Sequence, residues 1–144
     1  MALRKIKYGM IGASGRLGSE VKNVLNEAGH ELVFQYDIDG EQITDKPEIL
    51  IDCSLPDVFV KTIAYQKSYQ IPLIVATTGL TEQQLDQLKG ISINYPVVQS
   101  YNYSIGIQVL LKLSAIAFDK LKDWDIEITE THHRFKKDKP SVKE

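Results

Sequence analysis

The chain has 144 residues and a formal net charge of −2, with 43% hydrophobic and 25% charged residues. These values exclude a disordered chain and give no overall attraction to nucleic acid or membrane, so we expect neither as a partner. The single cysteine, Cys53, excludes an intrachain disulfide, and we find neither a secretory signal peptide nor an apolar run long enough to span a bilayer. We therefore expect a cytoplasmic globular protein.

A glycine-rich loop follows the first predicted element, a strand over residues 5–11. Glycines at positions 12, 15 and 18 lead into a helix that ends near Gly29. In dinucleotide-binding proteins the first glycine permits a tight turn, the second admits the pyrophosphate, and the third lets the helix pack closely. The helix N-terminus then points backbone N–H groups at phosphate. The pattern predicts a phosphate-binding loop.

Strands and helices continue to alternate as far as residue 99. The predicted strands are 31–36, 49–53, 73–76 and 95–99. The predicted helices are 56–68, with Phe59, Val60, Ile63 and Ala64 facing inward, and one that runs from a capping box at 81–84 to about Gly90. Apolar strands that alternate with helices are typical of a parallel sheet covered on both faces. The predicted fold class is α/β, a Rossmann-like doubly wound parallel sheet.

The pattern changes in the last third of the chain. A longer helix is predicted over 105–121, and a strand with alternating apolar and polar residues over 125–130. A basic loop follows. We interpret this helix, strand and loop as the start of an incomplete α+β substrate domain. The predicted domains are a dinucleotide-binding domain at 1–104 and a partial substrate-binding and oligomerisation domain at 105–144.

Asp37 ends the second predicted strand, about 20 residues after the last glycine of the loop. A carboxylate at this point binds the ribose hydroxyls of an adenine dinucleotide, although a plain turn aspartate is the alternative. The next residue is Ile38, and no lysine or arginine follows until Lys46. A 2′-phosphate would therefore meet a carboxylate and no nearby cation. We expect NADH as the preferred cofactor, with NADPH as the alternative.

Small polar residues follow two further predicted strands. They form the sequences Asp-Cys-Ser at 52–54 and Ala-Thr-Thr-Gly at 76–79. Ligands of open α/β sheets bind outside the carboxyl ends of the strands, where hydroxyl groups can contact a ribose or a nicotinamide carboxamide. Ordinary loop capping is the alternative for any single threonine. We interpret Cys53 as a small buried hydrophobe rather than as a nucleophile.

The run at 130–141 is the most unusual part of the sequence. It places adjacent histidines, His132 and His133, beside a cluster of lysines and an arginine. Proton donors beside fixed positive charge suit a reaction on a small anion with several charges. A zinc site is disfavoured, because no third ligand stands at a recognised spacing and Cys53 is remote. We therefore expect no metal, and we interpret Lys137 and Lys139 as solvated.

Four segments together resemble the dihydrodipicolinate reductase family of bacterial lysine and diaminopimelate synthesis. They read GASGRLG at 12–18, ATTG at 76–79, YNYSIG at 101–106 and ETHHRFKKDKPS at 130–141. The last is the most specific of them. The resemblance implies an enzyme that transfers a hydride from NAD(P)H to a small cyclic dicarboxylate, dihydrodipicolinate, and supplies a proton to the same product.

The resemblance also implies roles for particular residues. The cofactor-binding positions comprise the pyrophosphate loop (Gly12, Gly15, Arg16 and Gly18), the ribose carboxylate (Asp37), the nicotinamide segment (Thr77, Thr78 and Gly79) and two hinge residues (Asn102 and Tyr103). Ser104 matches the hinge as well. His132 matches the proposed proton donor, Lys136 matches a substrate-binding lysine that is the other possible acid, and His133 matches a contact to a substrate carboxylate. These assignments are expectations at this stage.

The sequence departs from the family pattern at its end. The family motif continues Pro-Ser-Gly-Thr-Ala, whereas this chain reads Pro-Ser-Val-Lys-Glu at 140–144. We interpret the chain as C-terminally truncated, so that the tetramer implied by the resemblance is altered although a homo-oligomer is still expected. Two functions stay open: a reductase with impaired activity, and a non-catalytic fragment that binds NADH.

Overall fold

The structure is a computed structural model that describes residues 4–129 and 131. Its contacts divide the chain into two compact units, Met1–Ser100 and Tyr101–Glu144. No helix within the described residues has the length and apolar character needed to cross a membrane.

The first unit is an α/β sheet domain. Its strands are β1 (Lys7–Ile11), β2 (Glu31–Asp37), β3 (Gly40–Ile43), β4 (Ile49–Asp52), β5 (Leu73–Val75) and β6 (Val97–Gln99). Its helices are α1 (Arg16–Glu27), α2 (Phe59–Tyr69), which continues a short 3-10 turn at Pro56–Val58, and α3 (Glu82–Ser92). The strand order is β3-β2-β1-β4-β5-β6. The Rossmann-like class predicted from the sequence is confirmed.

Strand β3 adds one antiparallel pairing to the predicted parallel sheet. It pairs antiparallel with β2, from Asp37 opposite Gly40 to Phe34 opposite Ile43, while every other pairing in the sheet is parallel. Gly40 begins the strand with φ +97°, the conformation that a tight hairpin requires. The strand was missed because its residues are mostly polar and exposed, and such an edge strand lacks a hydrophobic pattern.

Both faces of the sheet are covered, which places the core in two layers. One layer joins strand residues such as Phe34 and Leu50 to Phe59 of α2 and Leu88 of α3. The other joins Tyr8, Met10, Ala13 and Ile51 to partly buried residues that include Val21 and Leu25 of α1. Strands that are buried on both faces need apolar residues at successive positions. This explains why their hydrophobic runs could be recognised in the sequence.

The buried face of α2 differs from the predicted one. Phe59 and Ile63 are buried as expected, but Val60 and Ala64 are exposed, and Thr62 and Gln66 are buried in their place. Both polar side chains are satisfied, since Thr62 Oγ1 donates to Asp52 Oδ2 at 2.9 Å and Gln66 Nε2 donates to the Ile71 carbonyl at 3.1 Å. A buried polar group with a hydrogen-bond partner avoids most of the desolvation penalty that an unpaired one would carry.

The second unit contains helix α4 (Ile105–Lys120), close to the predicted 105–121. The strand predicted over 125–130 is wrong where it is described, because residues 125–129 adopt no regular secondary structure. A strand requires a neighbour to pair with its backbone N–H and C=O groups, and the described part of this unit supplies none. Glu130 and residues 132–144 lie outside the described residues.

Candidate nucleotide-binding site

A cavity of about 760 Å³ opens at the carboxyl ends of the parallel strands in the first unit. Four segments line it: residues 12 and 14–17 of the glycine loop, residues 36–38, residues 53–55 with 58, and residues 76 and 78. The carboxyl edge of an open α/β sheet is where ligands bind in such folds. Five of the predicted cofactor-binding residues are among the lining residues, namely Gly12, Gly15, Arg16, Asp37 and Thr78.

Two glycines of the loop are required by close backbone contacts. Gly12 has φ +77°, and a Cβ atom there would lie 2.9 Å from the Cys53 carbonyl oxygen. A Cβ atom on Gly18 would lie only 2.0 Å from the Gly12 carbonyl oxygen, so α1 could not pack against the loop with any side chain at this position. The role predicted for the third glycine, close packing of the helix, agrees with this contact.

Gly15 stands in a different situation from Gly12 and Gly18. It is the N-cap of α1 with φ −63°, which any residue can adopt, and an added Cβ atom would come no closer than 3.3 Å to another atom. Among the described residues, no side chain caps this helix end. The first-turn N–H groups thus have no side-chain acceptor, and residues 14–17 line the cavity, which is the arrangement that an anion-binding helix N-terminus requires.

Asp37 links the second strand to the glycine loop. Its Oδ2 atom accepts a hydrogen bond from the Ser14 backbone N–H at 2.6 Å, and its Oδ1 atom accepts one from the Ile38 N–H at 2.9 Å. Burial favours a higher pKa for Asp37, but these hydrogen bonds and the positive charge of Lys22 outweigh it and hold the pKa below its ordinary value. The group is therefore a carboxylate at neutral pH, with lone pairs still available for hydroxyl donors.

The nicotinamide segment predicted from the sequence divides between the core and the cavity. Thr77 is 2% exposed, and its hydroxyl donates to Asp52 Oδ1 at 2.9 Å, so this side chain lies in the core and does not line the cavity. Thr78 lines the cavity, while Gly79 is exposed with φ +75°. The sequence did not lead us to Asp52 as the acceptor for the Thr77 hydroxyl. An aspartate that ends an apolar strand directly before a loop with hydroxyl residues could have indicated such a hydrogen bond.

Cys53 lines the cavity beside this network. Burial first, and then the negative charge of Asp52, raise the pKa of the Cys53 thiol to about 11. The residue is therefore a neutral thiol at neutral pH and a poor nucleophile, in agreement with its interpretation as a small hydrophobe.

Asn102 and Tyr103, two of the predicted cofactor-binding residues, belong to the second unit. The Asn102 side chain accepts a hydrogen bond from the Ser104 N–H at 2.8 Å, and its backbone carbonyl accepts one from Gln108 Nε2 at 2.6 Å. Tyr103 lies beside them, just before α4. His132, His133 and Lys136 lie outside the described residues. Over residues 4–129 and 131, no cluster of histidine, cysteine and acidic side chains is arranged to hold a metal ion.

An open, mostly parallel sheet with a glycine loop before α1 and a carboxylate after β2 defines the Rossmann-like class of nucleotide-binding domains. Comparison with known families then gives a narrower assignment. Residues 6–103 match the family model described as "Dihydrodipicolinate reductase, N-terminus", and residues 106–143 match its C-terminal counterpart. The chain therefore belongs to the dihydrodipicolinate reductase family.

Individual relatives agree with this assignment. The chain is 43% identical over 136 residues to the 4-hydroxy-tetrahydrodipicolinate reductase of Thermosipho africanus, covering 94% of this chain and 63% of the relative. It is 37% identical over 139 residues to a Campylobacter jejuni reductase of the same name, covering 94% of this chain and 57% of the relative. The chain thus spans only about three-fifths of the length of these relatives.

A solved structure supports the fold independently. The structure titled as the dipicolinate-bound dihydrodipicolinate reductase of Paenisporosarcina sp. TG-14 superimposes with a TM-score of 0.65 at 22% identity. The match covers 80% of this chain and 54% of that one. At this identity the similarity shows a shared fold.

Proposed function

We propose that this chain binds NADH in the cavity of the first unit and takes part in reducing 4-hydroxy-tetrahydrodipicolinate to tetrahydrodipicolinate in lysine and diaminopimelate synthesis. The observation that carries the proposal is the convergence of the uncapped α1 N-terminus, the glycine loop and Asp37 on one cavity. The helix N-terminus and the glycine loop match the pyrophosphate of a dinucleotide, and Asp37 matches its adenosine ribose. Membership of the reductase family supports the choice of substrate.

The described residues fit the cofactor from one end to the other. The pyrophosphate would lie over Gly15, where the first-turn N–H groups of α1 and the Arg16 side chain supply positive potential. The ribose hydroxyls would donate to Asp37. The nicotinamide would lie toward Thr78 and Ala76 at the other end of the cavity. When bound, the cofactor supplies the hydride, and the chain supplies orientation, a proton and charge stabilisation.

We assign the chemical roles on the substrate to the basic segment. His132 is the proposed proton donor, with Lys136 as the second acid or substrate ligand, and His133 contacts a substrate carboxylate. The support comes from the family assignment and from the chemistry of the residues, because imidazole transfers protons near neutral pH and lysine pairs with carboxylates. Asn102 and Tyr103 are proposed to contact the cofactor at the hinge.

The preference for NADH rests on Asp37. A 2′-phosphate placed there would meet a carboxylate whose pKa is already depressed. Lys22 partly offsets this repulsion, since its charge acts on Asp37. We therefore expect a moderate preference, about tenfold, equivalent to about 1.4 kcal/mol. Calorimetric titration of both cofactors against the wild type and Asp37→Asn tests it, and equal affinity for the two cofactors in the wild type would contradict it.

A non-catalytic NADH-binding role is the second function to consider. This role needs only the first unit, which supplies all the residues that line the described cavity. Such a chain would bind NADH through the first unit and turn over no substrate.

We also propose that the chain self-associates, because α4 presents apolar side chains of which none is buried among the described residues.

A turnover assay distinguishes these two functions. The 144-residue chain is mixed with NADH and freshly generated substrate, and nicotinamide absorbance is followed. If it is a reductase, His132→Asn and Lys136→Met should lower kcat by roughly 10²–10⁴-fold, the usual contribution of a general acid. Lys137→Met is the matched control and should stay within about twofold. NADH binding without any oxidation would instead support the non-catalytic role.

A further inference from the structure

Asp52, the last residue of β4, is fully buried and saturated with hydrogen bonds. Its Oδ1 atom accepts from the Ser54 N–H at 2.9 Å, the Ser54 hydroxyl at 2.6 Å and the Thr77 hydroxyl at 2.9 Å, while Oδ2 accepts from the Thr62 hydroxyl at 2.9 Å. Among the described residues, no lysine, arginine or histidine forms an ion pair with it. The carboxylate is held entirely by neutral donors.

A buried carboxylate without a cationic partner is costly, so neutral hydrogen bonds of good geometry must offset its desolvation. A well-packed apolar residue could close the end of β4 without that cost. The buried carboxylate differs from such an apolar residue in the geometry that it imposes on its neighbours. A carboxylate with two acceptor atoms fixes the positions of several donors at once, which an apolar side chain cannot do.

The donors come from three elements that meet at the cavity. Thr62 belongs to α2, which packs beneath the sheet. Ser54 belongs to the loop after β4 and lines the cavity. Thr77 belongs to the loop after β5, and its neighbours Ala76 and Thr78 line the same cavity. Asp52 therefore joins two walls of the cavity to each other and anchors both of them to the helix.

We propose that Asp52 is a positioning residue for the nicotinamide half of the cofactor. It acts through Thr77, whose hydroxyl it binds, and so fixes Ala76 and Thr78 at the spacing from Ser54 that the nicotinamide end requires. The inference rests on the proposed function, because that function places the nicotinamide at this end of the cavity. At the adenosine end, neither Asp37 nor the glycine loop receives any of the side-chain hydrogen bonds described for Asp52.

Two ligands separate this role from a general contribution to stability. NADH would occupy both ends of the cavity, whereas ADP-ribose keeps the adenosine, the pyrophosphate and the second ribose and lacks only the nicotinamide, so comparing the two isolates the contribution of that ring. Asp52→Asn keeps the shape of the side chain but replaces one acceptor oxygen by an amide NH₂ group, which is a donor. In the wild type the neighbouring hydroxyl groups donate to this position, so in the variant donors face each other. Thr77→Val removes the single bond to the nicotinamide segment. Thr62→Val is the control that removes the anchor to α2 alone.

Calorimetric titration of the 144-residue chain is the test, with thermal melts to establish that each variant is folded. We expect Asp52→Asn and Thr77→Val to weaken NADH binding about tenfold while ADP-ribose affinity changes less than about twofold. Thr62→Val should lower the melting temperature and leave both affinities within about twofold.

Each alternative outcome contradicts the inference in a recognisable way. Unchanged NADH affinity in both Asp52→Asn and Thr77→Val overturns it and leaves the proposed function standing. An equal loss of NADH and ADP-ribose affinity also overturns it, because Asp52 would then support the whole domain. If Asp52→Asn fails to fold, Thr77→Val decides alone. Absence of NADH binding by the wild type overturns the proposed function, and this inference with it.

Discussion

The helices of the two units present their apolar residues in opposite ways. In the first unit α1, α2 and α3 place apolar side chains against a sheet that supplies the other half of the core. Helix α4 of the second unit is more apolar in sequence, yet none of its described residues is buried, and Leu113 and Ile116 remain about 60% exposed. An amphipathic or apolar helix gains stability only where a partner surface covers it. The proposed nucleotide site lies in the first unit, whose helices have such a partner surface in the sheet.

Paired leucine substitutions test this contrast most strongly. Leu50→Ala removes a side chain that is 0% exposed at the centre of the sheet, and it should lower the free energy of unfolding by about 2–5 kcal/mol. Leu113→Ala, on α4, should change it by less than about 0.5 kcal/mol at protein concentrations low enough to keep the chain monomeric. Urea denaturation of both variants provides the measurement. Similar losses for the two would mean that α4 is covered in solution, by self-association or by another surface.

A pair of glycines tests the packing of the phosphate loop. Gly18→Ala places a methyl group against the Gly12 carbonyl, so it should destabilise the first unit by about 1–3 kcal/mol through overpacking. Gly90→Ala, in α3, meets no atom within 4 Å and should stabilise the chain by about 0.5–1 kcal/mol through its helix propensity. A stable Gly18→Ala variant in the same urea assay would show that the loop and α1 are not packed as described.

The smallest expected effect concerns the Cys53 thiol. Because its pKa is raised to about 11, alkylation by iodoacetamide should be slow at pH 7 and should accelerate as the pH rises toward that value. NADH should slow the reaction further, since Cys53 lines the cavity. The rate is followed by mass spectrometry, with free cysteine as the reference thiol. Rapid alkylation at pH 7 would contradict the description of Cys53 as partly buried beside a carboxylate.

Features encoded by short stretches of sequence could be predicted. The glycine loop, the capping box at Thr81, the apolar strands and Asp37 at the end of β2 all depend on neighbours within a few residues. The capping box is present in full, with Thr81 and Gln84 bonded reciprocally. Local chemistry was sufficient in each of these cases.

Features that depend on distant partners could not be predicted. The burial of Thr62 follows from a carboxylate ten residues earlier, and that of Gln66 from the carbonyl of Ile71. Strand β3 forms only because β2 offers it an edge. The strand predicted at 125–130 failed over 125–129 for the reverse reason, because alternation alone does not supply a pairing partner. The hydrophobic pattern indicates which face could be buried, and tertiary contacts decide whether it is.

The most direct test of the account is the titration of NADH into the wild type and into Gly15→Val. The glycine loop must bind pyrophosphate if the first unit is a cofactor domain, and position 15 can accept a side chain without a severe clash in the fold. We predict that the wild type binds NADH, whereas Gly15→Val melts at nearly the same temperature and shows no measurable binding. Normal NADH binding by a folded Gly15→Val variant would show that the loop is only a turn, and it would contradict the assignment of this cavity.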